Sequence, residues 1–198
     1  MTDGLAPRAV IFDLDGTLTE PVLDFDAMRA EIGLAGGTIL EQLEQFDAAE
    51  RARAEAVMLR HERAAIAQAT LADGCADLLG HLREREIPIA ILTRNVREVV
   101  ETFARMFTFQ FHAVYTREDG PPKPSPAGAL SLCRAMGVAP AHTLAVGDYK
   151  YDVMAGRDAG CRTVLVDRDG LAAHELVDWG SPDLVVKSLR ELLPLFAR

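Results

Sequence analysis

The sequence predicts an α/β fold: a mostly parallel sheet covered by helices on both faces, with a small helical domain inserted after its first strand. Three observations lead there. Short runs such as Ala9-Val10-Ile11-Phe12, Ile89-Ala90-Ile91-Leu92 and Leu144-Ala145-Val146 have the unbroken hydrophobicity of strands buried on both faces. Stretches of helical period separate the later strands, and strand–helix alternation implies parallel pairing. From about Asp24 to Thr70 no strand pattern occurs.

In order, residues 8–12 read as a buried strand. Three candidate helices follow, over 24–34, 38–46 and 47–69, the first two separated by Gly36-Gly37. Asp47 and Glu50 have the spacing of a capping box, in which side chain and backbone donors satisfy each other. Alternation begins after Asp73: helix 75–86, strand 88–92, helix 96–106, strand 112–115, then helix 125–136 behind a proline-rich loop. Strand 143–146, helix 150–159, strands 163–166 and 184–186, and a closing helix 188–196 complete the chain. The expected division is a core of 1–19 and 72–198, with a helical domain of 20–71.

At 198 residues the chain can bury a substantial core, as one domain or one domain with an insertion. Hydrophobic residues make up 49% and charged residues 26%, a globular balance. The net charge of −9 argues against a nucleic-acid surface or a polybasic membrane anchor. No run approaches a membrane span and no signal peptide is visible, so the expected location is cytoplasmic. Cys75, Cys133 and Cys161 lack metal or redox spacing and read as reduced, mostly buried thiols. The expected assembly is a monomer or a homodimer.

Four polar clusters follow apolar strands, so all four fall at one edge of the sheet, where ligands of such sheets bind. The first is Asp13-Leu14-Asp15-Gly16-Thr17-Leu18-Thr19. One carboxylate, Asp13, can attack phosphorus, and Asp15 can move a proton. Gly16 permits a turn whose N–H groups face an anion, with Thr17 alongside. The alternative is a turn in which aspartates only satisfy backbone donors. The second cluster is Thr93-Arg94-Asn95, a hydroxyl and N–H groups ahead of a helix, suited to an anion. A plain N-cap by Thr93 or Asn95 is the competing reading.

The third is Lys123 within Pro121-Pro122-Lys123-Pro124-Ser125-Pro126, a stiff loop that aims one ammonium. The chain has only two other lysines, Lys150 and Lys187. The fourth is Gly147-Asp148-Tyr149-Lys150-Tyr151-Asp152, where Asp148 ends a strand and Asp152 enters the next helix. Paired carboxylates of this kind suit magnesium, which binds oxygen ligands. Asp13, Asp148, Asp152 and a phosphate dianion need cations to share a pocket, and magnesium with Lys123 would supply them.

With these motifs in this order, the chain resembles the haloacid dehalogenase-like superfamily. The resemblance covers most of the chain and implies a doubly wound, Rossmann-like core. It implies that Asp13 is phosphorylated and Asp15 is the acid/base. It implies that Thr93 binds phosphate and that Lys123 stabilises charge; the chain's own residues add Gly16, Thr17 and Lys123 as phosphate contacts, and Arg94 as a further one or as a surface arginine only. The resemblance implies magnesium on Asp13 and Asp148, with Asp152 in support, and the backbone carbonyl of Asp15 could also hold the ion. The helical insertion would be a cap, with the Gly36-Gly37 turn near the site. The chain departs from the family pattern where Arg94 separates Thr93 from Asn95. Dehalogenases of the superfamily typically lack the second aspartate, so dehalogenation is discounted.

The expected activity is magnesium-dependent hydrolysis of a small soluble phosphomonoester through a phosphoaspartate, most like phosphoglycolate phosphatase. A phosphomutase with the same residues is the alternative. A receiver-type signalling module fits worse, since its phosphorylated aspartate follows the third strand. A catalytically silent binding protein would have no reason to keep every catalytic residue. Arg29, Arg60, His61 and Arg63 are the candidate selectors of substrate in the cap.

Overall fold

The computed structural model describes residues 6–171, 177–179 and 181–196. The first five and last two residues, assigned to the core by the sequence, lie outside them. The chain forms two compact units, one of residues up to Pro21 and from Thr70 onward, the other Val22–Ala69.

The larger unit is built on six parallel strands: β1 Ala9–Phe12, β2 Ile89–Leu92, β3 Ala113–Tyr115, β4 Thr143–Gly147, β5 Arg162–Val166 and β6 Leu184–Val186. Their order in the sheet is β3-β2-β1-β4-β5-β6. β1, β2 and β4 are buried at every position, which is why they read as unbroken apolar runs. The helices are α4 Cys75–Glu84, α5 Arg97–Met106, α6 Ala127–Met136 and α7 Lys150–Asp158. Each connects strands across the sheet, except that β4 is reached from α6 through a 3₁₀ turn at Pro140–His142. This is the doubly wound α/β fold expected.

Besides small shifts at element ends and the helix expected over 38–46, which spans only Ile39–Leu43, two elements of the larger unit differ from the sequence reading. The α4 helix stops before Glu86, which takes a left-handed φ of 56°. The closing segment Leu189–Phe196 is 3₁₀ and not α, with Pro194 inside it. Proline has no N–H to continue an α-helical ladder. The three cysteines are buried and unbridged, with the Cys133 and Cys161 sulfurs 3.9 Å apart.

The smaller unit holds α1 Phe25–Ile32, α2 Ile39–Leu43 and α3 Ala48–Ala67. Asp24 caps α1 by accepting from Ala27 N at 2.8 Å. Asp47 caps α3, with its carboxylate on Glu50 N and the Glu50 carboxylate back on Asp47 N. A separate apolar cluster of Met28, Ile39, Leu43, Ala54 and Met58 forms this unit's core. Among the described residues, no helix is long and apolar enough to cross a membrane.

The two ends of the insertion meet within the larger unit. Thr19 pairs with Leu71 in an antiparallel bridge, Glu20 N donates to Thr70 O at 3.0 Å, and Ala72 N donates to Leu18 O at 3.0 Å.

Candidate active site

The sheet order creates a crevice between β1 and β4. From β1 the chain winds outward to β2 and β3 on one side, then returns to β4 on the other. Connections leaving in opposite directions open a gap at the carboxyl ends of those two strands. Both banks of the gap end in an aspartate. Asp13 directly follows β1, with its N–H donating to Val146 O of β4 at 2.9 Å. Asp148 directly follows β4. Thr93 is held similarly past β2, by a 3.0 Å bond from its N–H to Tyr115 O of β3. The sheet ladder thus runs one residue beyond each strand and fixes the backbone of two candidate residues.

Lys123 is brought in by the loop after β3. It is 3% exposed, and its Nζ lies 2.6 Å from Asp13 Oδ1 and 2.5 Å from Asp152 Oδ1. One ammonium therefore bridges the carboxylate after β1 and the carboxylate at the start of α7. The other oxygen of Asp152 accepts from Tyr149 N at 3.0 Å, closing the first turn of α7. Two glycines leave room for this packing. A Cβ on Gly147 would fall 2.1 Å from Asp152 Cγ, and one on Gly16 would fall 2.1 Å from Asp148 Oδ2. Gly16 also has φ +76°, where a side chain is strained. Thr17 Oγ1 donates to Asp148 Oδ1 at 3.3 Å.

Asp13, Asp148 and Asp152 each place a carboxylate oxygen within 4.8 Å of the others. Three carboxylates against one ammonium leave an excess of negative charge. Burial, then the Asp13 and Asp152 charges, push Asp148 up to about 8. Burial also raises Asp152, to about 6, against the pull of Lys123. Burial alone would lower Lys123, but the charges of Asp13 and Asp152 outweigh it and hold the ammonium above the ordinary lysine range.

These shifts set a sign for the metal-free protein. Between the ordinary aspartate value of 3.8 and about 8, the folded state holds protons at Asp148 that the unfolded chain has lost. Stability therefore falls as pH rises through that window. Lys123 opposes nothing there, since its contribution is lost only above the ordinary lysine value of 10.5. The lowered carboxyls of Glu31, Asp73 and Asp119 act at or below the acid edge of the window, where they lose stability on acidification. The Cys133 thiol, lowered to about 6 chiefly by its bond with Cys161, opposes the trend above about pH 6, and Asp152, raised to about 6, adds to the trend below that. In chelator, the melting temperature is expected to drop by several degrees between about pH 5.5 and about pH 8, and added magnesium should reverse the trend. A melting temperature that climbs over that range in chelator would contradict this charge balance.

The Asp15 carboxylate stands apart from the other three. Its Oδ2 accepts a hydrogen bond from Asn95 Nδ2. Neither Thr93 nor Asn95 caps α5; the cap residue is Val96, without a side-chain bond. Instead Thr93 Oγ1 accepts from Asn95 N at 3.1 Å, leaving its hydroxyl hydrogen to donate elsewhere. Arg94, read from the sequence as a phosphate contact, links loops. Its NH1 donates to Lys123 O at 3.2 Å, its guanidinium lies 4.9 Å from the Tyr151 ring centre, and its carbonyl accepts from Arg117 at 2.8 Å. The clusters after β2, β3 and β4 are joined through this one side chain.

Two contributors were missed in the sequence. In the sequence Asn95 belongs to the second cluster but has no visible partner, because nothing in spacing tells that it reaches Asp15. Arg168 follows β5 at the same sheet edge and donates to Gly16 O, with Glu20 at 3.8 Å. Its position just past an apolar strand was the available signal. The four cap candidates engage residues of their own unit or are exposed. Arg29 pairs with Asp26 at 2.6 Å and donates to Gly37 O at 3.3 Å. Arg60 and His61 both meet Glu31, the latter at 2.8 Å. Arg63 lies on the exposed side of α3.

An acidic crevice, bridged by a buried lysine at the switch point of a doubly wound sheet, marks an α/β enzyme. Residues 7–160 match the model of haloacid dehalogenase-like hydrolases. A haloacid dehalogenase-like hydrolase domain-containing protein of Arabidopsis thaliana is 32% identical, over 93% of this chain and 82% of its own. A phosphoglycolate phosphatase of Pseudomonas putida is 31% identical, over 96% of this chain and 80% of its own. The crystal structure of a hydrolase from Pseudomonas syringae shares the fold, with a TM-score of 0.81 at 20% identity over 94% of this chain and 96% of that one. The chain belongs to the haloacid dehalogenase-like hydrolase family, and its relatives include named phosphatases.

Proposed function

We propose that this protein is a magnesium-dependent phosphatase, which hydrolyses a small soluble phosphomonoester through an aspartyl phosphate on Asp13. The observation that carries this reading is the meeting of Asp13, Lys123, Asp148 and Asp152 at the β1/β4 crevice. A phosphoryl group needs a nucleophile, a proton carrier and countercharge in one place, and these residues with Asp15 offer all three.

The donor set fits a hard divalent cation. It consists of carboxylate oxygens alone, and mutual repulsion with burial already pushes one of them up to about 8. Magnesium would be held by Asp13, Asp148 and the Asp15 carbonyl, with Asp152 in support. When bound, it offsets negative charge on the carboxylates and the phosphoryl oxygens.

Asp13 attacks phosphorus, and the ester P–O bond breaks as the aspartyl phosphate forms. Asp15 gives its proton to the departing oxygen. It then takes a proton from the water whose oxygen displaces Asp13 and frees inorganic phosphate. Lys123 holds Asp13 in place and opposes the charge that gathers on the phosphoryl oxygens. Thr93 and the Gly16 N–H bind those oxygens, Thr17 braces Asp148 through its hydroxyl with its own N–H turned to Leu14 O, and Arg94 holds the surrounding loops. The helical unit Val22–Ala69 is the cap that selects substrate. A substrate of the phosphoglycolate kind is supported by the P. putida relative.

The test is phosphate release from a panel of small phosphomonoesters, with and without magnesium. Turnover that needs magnesium supports the reading. An isomerised sugar phosphate without net release would replace it with a mutase. A folded protein that releases phosphate from no ester would overturn it.

A further inference from the structure

We infer that Asn95 is a positioning residue for Asp15, its amide donating to Oδ2 and so orienting the carboxyl group that exchanges the proton. The inference rests on the phosphatase reading above and extends it to a residue outside the reacting groups.

Asn95 is 4% exposed, and its side chain bonds across 80 residues of sequence to Asp15, with Nδ2 donating to Oδ2. Both ends of its backbone are held. Its N–H donates to Thr93 Oγ1 at 3.1 Å, and its carbonyl accepts from Arg117 N at 3.2 Å. A residue held in this way presents its amide in one direction. An amide N–H can only donate, so its bond to Oδ2 suits Asp15 both as the acid and as the carboxylate, and orients the group in both forms. The same bond thus suits both half-reactions: proton to the leaving oxygen as the ester P–O bond breaks, then proton from water as the aspartyl P–O bond breaks.

The helix that follows Asn95 is capped at Val96 without a side-chain bond, so the amide is not used to close α5. Arg94 sends its own guanidinium toward Lys123 and Tyr151. The arginine between Thr93 and Asn95 therefore leaves the Asn95 amide to Asp15.

The experiment separates positioning from structural support by leaving group. A p-nitrophenolate departs without a proton, whereas an alkoxide needs one. First-turnover rates are measured by rapid quench for p-nitrophenyl phosphate and glycerol 2-phosphate. The proteins are wild type, Asp15→Asn, Asn95→Ala and Asn95→Leu, the last keeping the buried volume if the alanine variant does not fold. In the Asn95 variants the alkyl ester is expected to slow by about 30-fold or more, and the aryl ester by about 3-fold or less. Equal losses on both esters, or none on either, would overturn the inference. If wild type cleaves neither ester, the phosphatase reading itself falls. If wild type cleaves both and Asp15→Asn shows the split while the Asn95 variants do not, only the role of Asn95 fails.

Discussion

Asp13→Ala is expected to lower phosphate release by about 10⁴-fold or more while leaving the fold intact. The two carboxylates that share its cluster are both engaged. Asp152 uses one oxygen on Lys123 and the other on Tyr149 N, and Asp148 is engaged by Thr17. The substitution should not weaken the protein in chelator at high pH, because it removes one of the charges that raise Asp148. Lys123 keeps its bond to Asp152. Steady-state phosphate release and a melting curve on the same sample check both halves. A residual rate within about 10-fold of wild type would show that another group attacks phosphorus.

Lys123→Met should damage stability and activity together. The ammonium is buried and bridges two carboxylates, so its loss leaves both without their cation. Removing one partner of a buried ion pair costs about 3–5 kcal/mol. Repulsion among Asp13, Asp148 and Asp152 would also rise, and the protein would unfold at lower urea, most of all at high pH. Activity should fall about 10²- to 10³-fold, through lost charge opposite the phosphoryl group and a misplaced Asp13. Magnesium should restore part of the stability, since it answers the same excess of charge. A variant as stable as wild type in chelator at about pH 8 would show that the cluster discharges itself by taking up protons.

The pattern of the sheet was legible because its strands are buried on both faces, and such strands must be apolar throughout. Helix starts at Asp24 and Asp47 were legible because their carboxylates bond to the backbone within three residues. The ends of β1, β2 and β4 were legible for a related reason: polar residues appear where the chain leaves the core. The missing parts depend on partners distant in sequence. Asn95 meets Asp15, and Arg168 meets Gly16, only after the sheet has assembled. The 3₁₀ form of 189–196 was hidden because apolar spacing marks a helical face without distinguishing the two helices, and Pro194 was the one available sign.

The antiparallel bridge between Thr19 and Leu71 ties together the two ends of the insertion. For the larger unit, everything from Val22 to Ala69 is a loop whose ends already touch. The entropy of closing such a loop rises only with the logarithm of its length, by about 0.6 kcal/mol for each doubling. A longer or shorter segment could therefore be spliced there at little thermodynamic cost to the sheet or to the alignment of Asp13 with Lys123. Selection acting on that splice site can change what is recognised without reworking the chemistry.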